Sequence, residues 1–209
     1  MLWNPRHAEA HLADADPRFA DIIARIGPCT LEMPARADPF PALLRSIVYQ
    51  QLSGKAAATI HGRLMTLFPR KTPRPDRLLE LADEDMRRAG MSRGKVAAAR
   101  DLAAKVLDGT VPKAKVLATL ADDEVKTRLT QVRGIGPWTA EMYLMFWLGR
   151  PDVLPLGDLG IQKGYMIGWN KRRLPSPQVL EKAGRKWAPY RTAASWYLWK
   201  LVDGDGATW

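Results

Sequence analysis

Residues 131–142 read QVRGIGPWTAEM, with two glycines around one isoleucine and a Pro-Trp pair directly behind them. No other stretch limits so tightly what this chain can fold into. Gly134 and Gly136 admit a positive φ or a close backbone approach that other residues tolerate poorly. Proline is excluded from a helix interior, but Pro137 suits a first helical position, where its missing N–H costs nothing. The stretch therefore predicts a helix, the four-residue turn RGIG and a second helix, with Ile135 pointing back to plug the two together. A helix that starts behind such a turn gathers backbone N–H groups, a setting suited to one phosphate. The plainer reading is an ordinary corner between helices with a glycine stop. The flanks, Leu129 and Val132 before and Thr139-Ala140 after, make the pattern more particular than a lone GxG.

The rest of the chain fits around that turn as helices. Apolar residues recur at helical spacing, and no two neighbouring stretches alternate as hairpin strands do. Residues 7–27 read as two helices broken near Pro17 and stopped at Gly27, and CTLEMPARADP (29–39) reads as a linker. Leu43, Leu44, Ile47 and Val48 share one helical face, and Ser53 can cap a following helix that ends before Pro69. PRKTPRPD (69–76) reads as an irregular basic loop before a short helix near 78–82. Asp83 and Ser92 are expected caps, and Gly109 ends the helix that Ser92 starts. Further helices are expected near 137–149, 159–169, 177–187 and 191–202. The sum is an all-α chain of about ten helices in two lobes. The expected division is residues 1–37 packing with the C-terminal lobe, 38–120 as one lobe, and 121–209 as the lobe with the turn.

Composition sets outer bounds. With 209 residues, 46% of them hydrophobic, the chain can bury a real core. A formal charge of +10 favours a polyanionic partner, of which nucleic acid is the commonest; the alternative is a generally basic protein. Cys29 is the single cysteine, which excludes an intramolecular disulfide and any metal or iron–sulfur site held by several thiolates. The N-terminus has no apolar signal core, and the longest apolar run, MYLMFWL (142–148), is too short to span a bilayer. The expectation is a soluble protein of a reducing compartment, without membrane attachment.

A second stretch, VLPLGDLGIQKG (153–164), holds the single carboxylate of Asp158 among glycines and apolar residues. Aspartate is a favoured N-cap, and a helix is expected from Leu159. A carboxylate fixed in an apolar setting can also stabilise developing positive charge and position a water. The two roles are compatible.

VRGIGPWTAEM together with LPLGDLGIQKGY resembles the helix-hairpin-helix superfamily of DNA glycosylases. Within it the chain looks most like the alkylated-base branch, 3-methyladenine DNA glycosylase II. The resemblance runs from DPFPALLRSIVYQQLSGKAA to APYRTAASWYLW, most of the chain. It implies a two-lobed helical fold with the active site in the cleft between lobes, double-stranded DNA bearing alkylated bases as partner, and base excision repair as the process. Asp158 then matches the family's catalytic aspartate, facing the positive charge that develops at C1′ as the N-glycosidic bond breaks. Gly157 and Gly160 are read as leaving room for backbone and DNA to approach.

Further expectations follow from the resemblance. A base alkylated at a ring nitrogen is cationic before it leaves, so no general acid is required, and His7, His11 and His61 all lie far from the motifs in sequence. Strand-cutting relatives carry a lysine nucleophile two residues after the second hairpin glycine; here that residue is Trp138. The iron–sulfur branch needs four cysteines. These features imply a monofunctional glycosylase without metal or cofactor. A buried target base must be flipped out and its gap filled. Gln51 and Leu52 match the family's gap-filling loop, with Leu52 as wedge; the alternative is a core leucine. Trp138 and Trp199 fall at pocket positions, while Trp196 and Tyr197 are assigned to packing. Met142 stands where a well-known member has tyrosine, which leaves the pocket more open. Arg133, Gly134, Gly136, Thr139 and Lys163 are the expected phosphate contacts, with Lys171, Arg172 and Arg173 as further basic residues near the motifs. Fewer than forty residues precede the first lobe, so the N-terminal β-sheet domain of some members is expected to be absent. A monomer is expected, in the cytoplasm of a bacterium or archaeon or the nucleus of a eukaryote.

Two rival classes remain at this point. A non-catalytic DNA-binding module would use the hairpin but needs neither a fixed carboxylate nor a wedge. A helical protein–protein scaffold leaves the hairpin and the +10 charge unexplained.

Overall fold

The computed structural model describes residues 3–32 and 38–203, and all regular elements among them are helical. Helices α1 (Pro5–Ala15) and α2 (Pro17–Ile26) open the chain. Then come α3 (Pro39–Tyr49), α4 (Gly54–Met65), α5 (Pro75–Glu80), α6 (Asp83–Arg88) and α7 (Arg93–Leu107). The single turn α8 (Ala114–Leu117), α9 (Asp122–Leu129) and α10 (Pro137–Phe146) precede α11 (Leu159–Gly168), α12 (Pro177–Gly184) and α13 (Arg191–Asp203). None of the described helices is long and apolar enough to cross a membrane. Residues 33–37 of the expected linker lie outside the described residues.

Local chemistry starts these helices. Asn4, Asp16 and Asp38 each accept a hydrogen bond from an amide two residues on, each directly before a proline that opens the helix. Ser53, Ser92 and Ser176 cap α4, α7 and α12 in the same manner, three residues ahead. Each cap is worth about 1 kcal/mol. Asp83 does not cap: Ala82 occupies that position without a side-chain bond, and Asp83 instead pairs with Arg100 at 2.6 Å. The basic stretch read as irregular contains a short 3-10 turn, Pro69–Lys71.

The chain divides into two compact units, Ala35–Tyr143 and Met1–Pro34 with Leu144–Trp209. The hairpin thus belongs with the residues before it rather than with the C-terminal residues expected to share its lobe. Leu43, Leu44, Ile47, Val48, Leu64 and Leu102 are fully buried in the first unit. In the second, Phe19 meets Trp169, Trp187 and Tyr197 edge-on at 5.4, 5.2 and 6.3 Å between ring centres. Aromatic pairs of this kind add roughly 0.5–1.5 kcal/mol beyond the area they bury. Asp16 is buried beside this cluster, accepting from Trp187 Nε1 at 3.3 Å and pairing with Lys186 Nζ at 3.0 Å.

In that same unit α11 lies directly on α13. Gly160, Gly164 and Gly168, one per turn of α11, face Trp199, the Leu198 carbonyl and Leu201. A Cβ on Gly164 would sit 2.1 Å from the Leu198 oxygen, so only glycine permits this approach. The Asp158 end of α11 is thereby held against α13.

Candidate functional site

Within the unit Ala35–Tyr143 the hairpin has the expected core. Gly134 takes φ of 78°, Ile135 is buried, and Pro137 opens α10. Gly136 differs from expectation: its φ is not positive and a Cβ there would meet nothing within 4 Å. Two amides of the turn itself are taken up within the protein. The Arg133 amide donates to Asp101 Oδ2 at 2.7 Å, and the Ile135 amide to the Val132 carbonyl at 3.0 Å. The Arg133 side chain is exposed. Thr139 is buried, with its hydroxyl oxygen 3.5 Å from Gln50 Nε2. Trp138 is 49% exposed, and Met142 is half-buried.

The loop between α3 and α4 is tied to this turn. Gln50 Nε2 donates to the Gly134 carbonyl at 2.9 Å across 84 residues of sequence. Gln51 adopts φ of 56°, a left-handed conformation that costs a non-glycine residue roughly 1 kcal/mol. Both Gln51 and Leu52 are exposed, Leu52 at 39%, which disposes of the core alternative for that leucine. On α7, Lys95 Nζ donates to the carbonyls of Val48 at 2.7 Å and Gln50 at 2.8 Å, where helix α3 runs out of partners. Burial holds the Lys95 pKa below the usual lysine value. Further along α7, Lys105 Nζ reaches Asp101 at 2.7 Å and the Gln131 carbonyl at 2.6 Å. Burial opposes the charge on Asp101, but the Arg133 amide and Lys105 outweigh it and lower that carboxyl's pKa. Sequence reasoning misses Gln50, Lys95 and Asp101 as parts of this arrangement. Only Gln50, as half of the QQ pair, leaves any trace there.

In the other unit, Asp158 caps α11, its Oδ1 accepting from the Ile161 amide at 2.8 Å. The same oxygen accepts from Trp199 Nε1 at 2.9 Å. Trp199 is 5% exposed and stacks on Phe146, with centroids 6.0 Å apart and planes 26° apart. Its ring occupies the space over Gly160, where a Cβ would lie 2.8 Å from Trp199 Cδ1 and 3.0 Å from Asp158 Oδ1. The room at Gly160 is therefore used by an indole and not left for DNA. Gly157 is open, with nothing within 4 Å of a Cβ built there. Lys163 is exposed on α11.

The chain entering Asp158 is held at several points. Asp152 takes two bonds from the Arg191 guanidinium, at 2.7 and 2.8 Å. Burial raises the Asp152 pKa, but the Arg191 partner more than offsets it, leaving the carboxyl below its usual range. Thr192 Oγ1 donates to the Arg150 carbonyl at 2.7 Å and accepts from the Val153 amide at 3.1 Å. Gln162 Nε2 donates to the Leu156 carbonyl at 2.9 Å, closing the turn. A carboxylate so mounted can act as a fixed negative charge.

Residues 44–189, a span that includes the hairpin and Asp158, match the family described as HhH-GPD superfamily base excision DNA repair protein. The chain belongs to that family. It is 34% identical over 195 residues to DNA-3-methyladenine glycosylase 1 of Schizosaccharomyces pombe, covering 92% of this chain and 86% of that one. The solved structure of the Schizosaccharomyces pombe 3-methyladenine DNA glycosylase Mag1 in complex with abasic DNA superposes with a TM-score of 0.83. That match has 33% identity and covers 97% of this chain and all of the other. A DNA-3-methyladenine glycosidase from Bacillus halodurans gives a TM-score of 0.85 at 36% identity, covering 94% and 89%. Family membership accounts for the all-helical architecture, and places the hairpin and the aspartate motif in the context of base excision repair.

Proposed function

We propose that this protein is a monofunctional DNA glycosylase that flips alkylated purines, of the 3-methyladenine and 7-methylguanine type, out of duplex DNA and hydrolyses their N-glycosidic bonds. The observation that carries the reading is Asp158, whose Oδ1 is held by both an amide and an indole N–H inside a family of base excision proteins. As the C1′–N bond breaks, its electron pair leaves with the base, which departs neutral because alkylation had made it cationic. Asp158 faces the positive charge left on the sugar and orients a water. The water oxygen bonds C1′, its proton passes to the carboxylate or to solvent, and an abasic site remains. Trp138 supplies no amine for a Schiff base, and its exposed ring suits stacking on a cationic base. Phosphates are gripped by the first turn of α10 and by the Arg133 side chain, with Lys163 as a further contact. Leu52 is the wedge, with Gln51 beside it.

The test is base release, read by mass, from duplexes each bearing one lesion, using wild type and Asp158→Asn. An asparagine caps about as well as aspartate, so melting should hardly change. Excision should fall by about a hundredfold or more. An Asn variant that is folded, binds DNA and excises at the wild-type rate would reduce Asp158 to a helix cap. Borohydride should trap no protein–DNA adduct; a trapped adduct would overturn the monofunctional assignment.

A further inference from the structure

One face of α7 carries Lys95, Ala98, Asp101 and Lys105, three or four residues apart. Lys95 closes the carboxyl end of α3 through the carbonyls of Val48 and Gln50. Ala98 lies 3.4 Å from where a Gly134 Cβ would sit. Asp101 and Lys105 take the Arg133 amide and the Gln131 carbonyl. The Gln50 side chain then crosses directly from the loop to the Gly134 carbonyl. The Gln51-Leu52 tip and the glycine turn are thus mounted on the same rail, and the tip is further held with Gln51 in a left-handed conformation.

We propose that Gln50 and Lys95 are positioning residues for base extrusion, locking the Leu52 loop to the glycine turn so that force on the wedge is taken up where the protein grips the phosphates. This rests on the glycosylase reading above. Extruding a paired base requires breaking its pairing and stacking, a few kcal/mol that the protein must counter with a wedge that does not yield. A loop fixed only by its two chain ends would give way. With the two tethers, displacing Leu52 means breaking the Gln50–Gly134 bond or uncapping α3. Neither side chain needs to touch the lesion, so their effect should depend on how firmly the target base is paired.

The experiment compares single-turnover release of one 7-methylguanine in two duplexes, with cytosine or an abasic-site analogue opposite. Gln50→Leu and Lys95→Met keep side-chain bulk and lose the tethering donors. Each should slow release from the paired duplex about tenfold more than from the unpaired one, a small part of the extrusion cost. Binding to undamaged duplex and melting temperature are measured on the same preparations. Equal slowing on both duplexes, or none, overturns the proposal, since a general folding defect does not discriminate between them. Should Lys95→Met fail to fold, Gln50→Leu alone decides, because its half-buried side chain can be replaced without emptying the core. If wild type releases base from neither duplex, the glycosylase reading itself has failed, an outcome distinct from loss of the pairing-dependent difference.

Discussion

Trp199 donates its indole N–H to Oδ1 of Asp158 over 2.9 Å, although 41 residues separate the two in sequence. The oxygen also holds the Ile161 amide, so helix and indole together set the carboxylate's plane. Trp199→Phe keeps a ring against Phe146, removes the donor and gives up part of a buried ring. A hydrogen bond to a charged group is worth about 1.5–3 kcal/mol, so single-turnover excision should slow by roughly tenfold or more. DNA affinity should hold, and melting should fall by a few degrees because the smaller ring leaves part of its buried site unfilled. A Phe variant excising at the wild-type rate would show that the indole only packs.

The glycine contact between α11 and α13 predicts a sharp contrast between two nearby glycines. Gly164→Ala drives a methyl group into the Leu198 carbonyl, which is backbone and cannot swing aside. Overpacking of this kind costs typically about 1–3 kcal/mol, and the melting temperature should drop by several degrees. Gly157→Ala, in the turn just before Asp158, meets open space and should melt as wild type. Thermal melts of the two variants side by side check the assignment.

Arg133 offers its amide to Asp101 and leaves its side chain exposed. Arg133→Gln keeps the amide bond and removes the charge. Affinity for undamaged duplex should fall about equally for all sequences, and the logarithmic salt slope should shrink by about one. An unchanged slope would exclude that guanidinium as a phosphate contact.

His61 predicts a pH effect on stability. Burial and then the Arg45 guanidinium disfavour its charged form, so its pKa in the folded protein lies below 6.5. Above about pH 6.5 the imidazole is neutral in both folded and unfolded chains, and the fold has its full stability. As pH falls, the unfolded chain takes up the proton first, and stability declines until pH passes the lowered folded value. Melting temperature should therefore drop as pH falls below about 6.5. His61→Gln should flatten that part of the curve, whereas the decline below about pH 4 should survive, since Asp101 and Asp152 also have lowered values.

Much of this protein is decided by neighbours in sequence. Prolines 17, 39, 137 and 177 sit at helix starts because a fixed φ and a missing N–H suit that position and few others. Ser53, Ser92 and Asp158 cap because the amide each needs lies only three residues ahead. Periodic apolar residues mark the faces that are buried. Leu52 stands out only through the family resemblance, and the spacing left Gly134 and Gly136 as equal candidates for the left-handed position that Gly134 alone takes.

What tertiary structure alone decided is which distant group completes each local feature. Asp83 has the chemistry of a cap, yet Arg100 draws it into an ion pair. Gly160 reads as open room until α13 brings Trp199 over it, and Trp199 reads as a pocket wall until its N–H finds Asp158. Lys95 carries no local signal for its role and Gln50 only that of the QQ pair, because the carbonyls they hold become neighbours only when α3, α7 and the glycine turn pack together. Caps and turns are short-range and are written in spacing. A hydrogen bond across 84 residues depends on packing geometry, which no window of sequence contains.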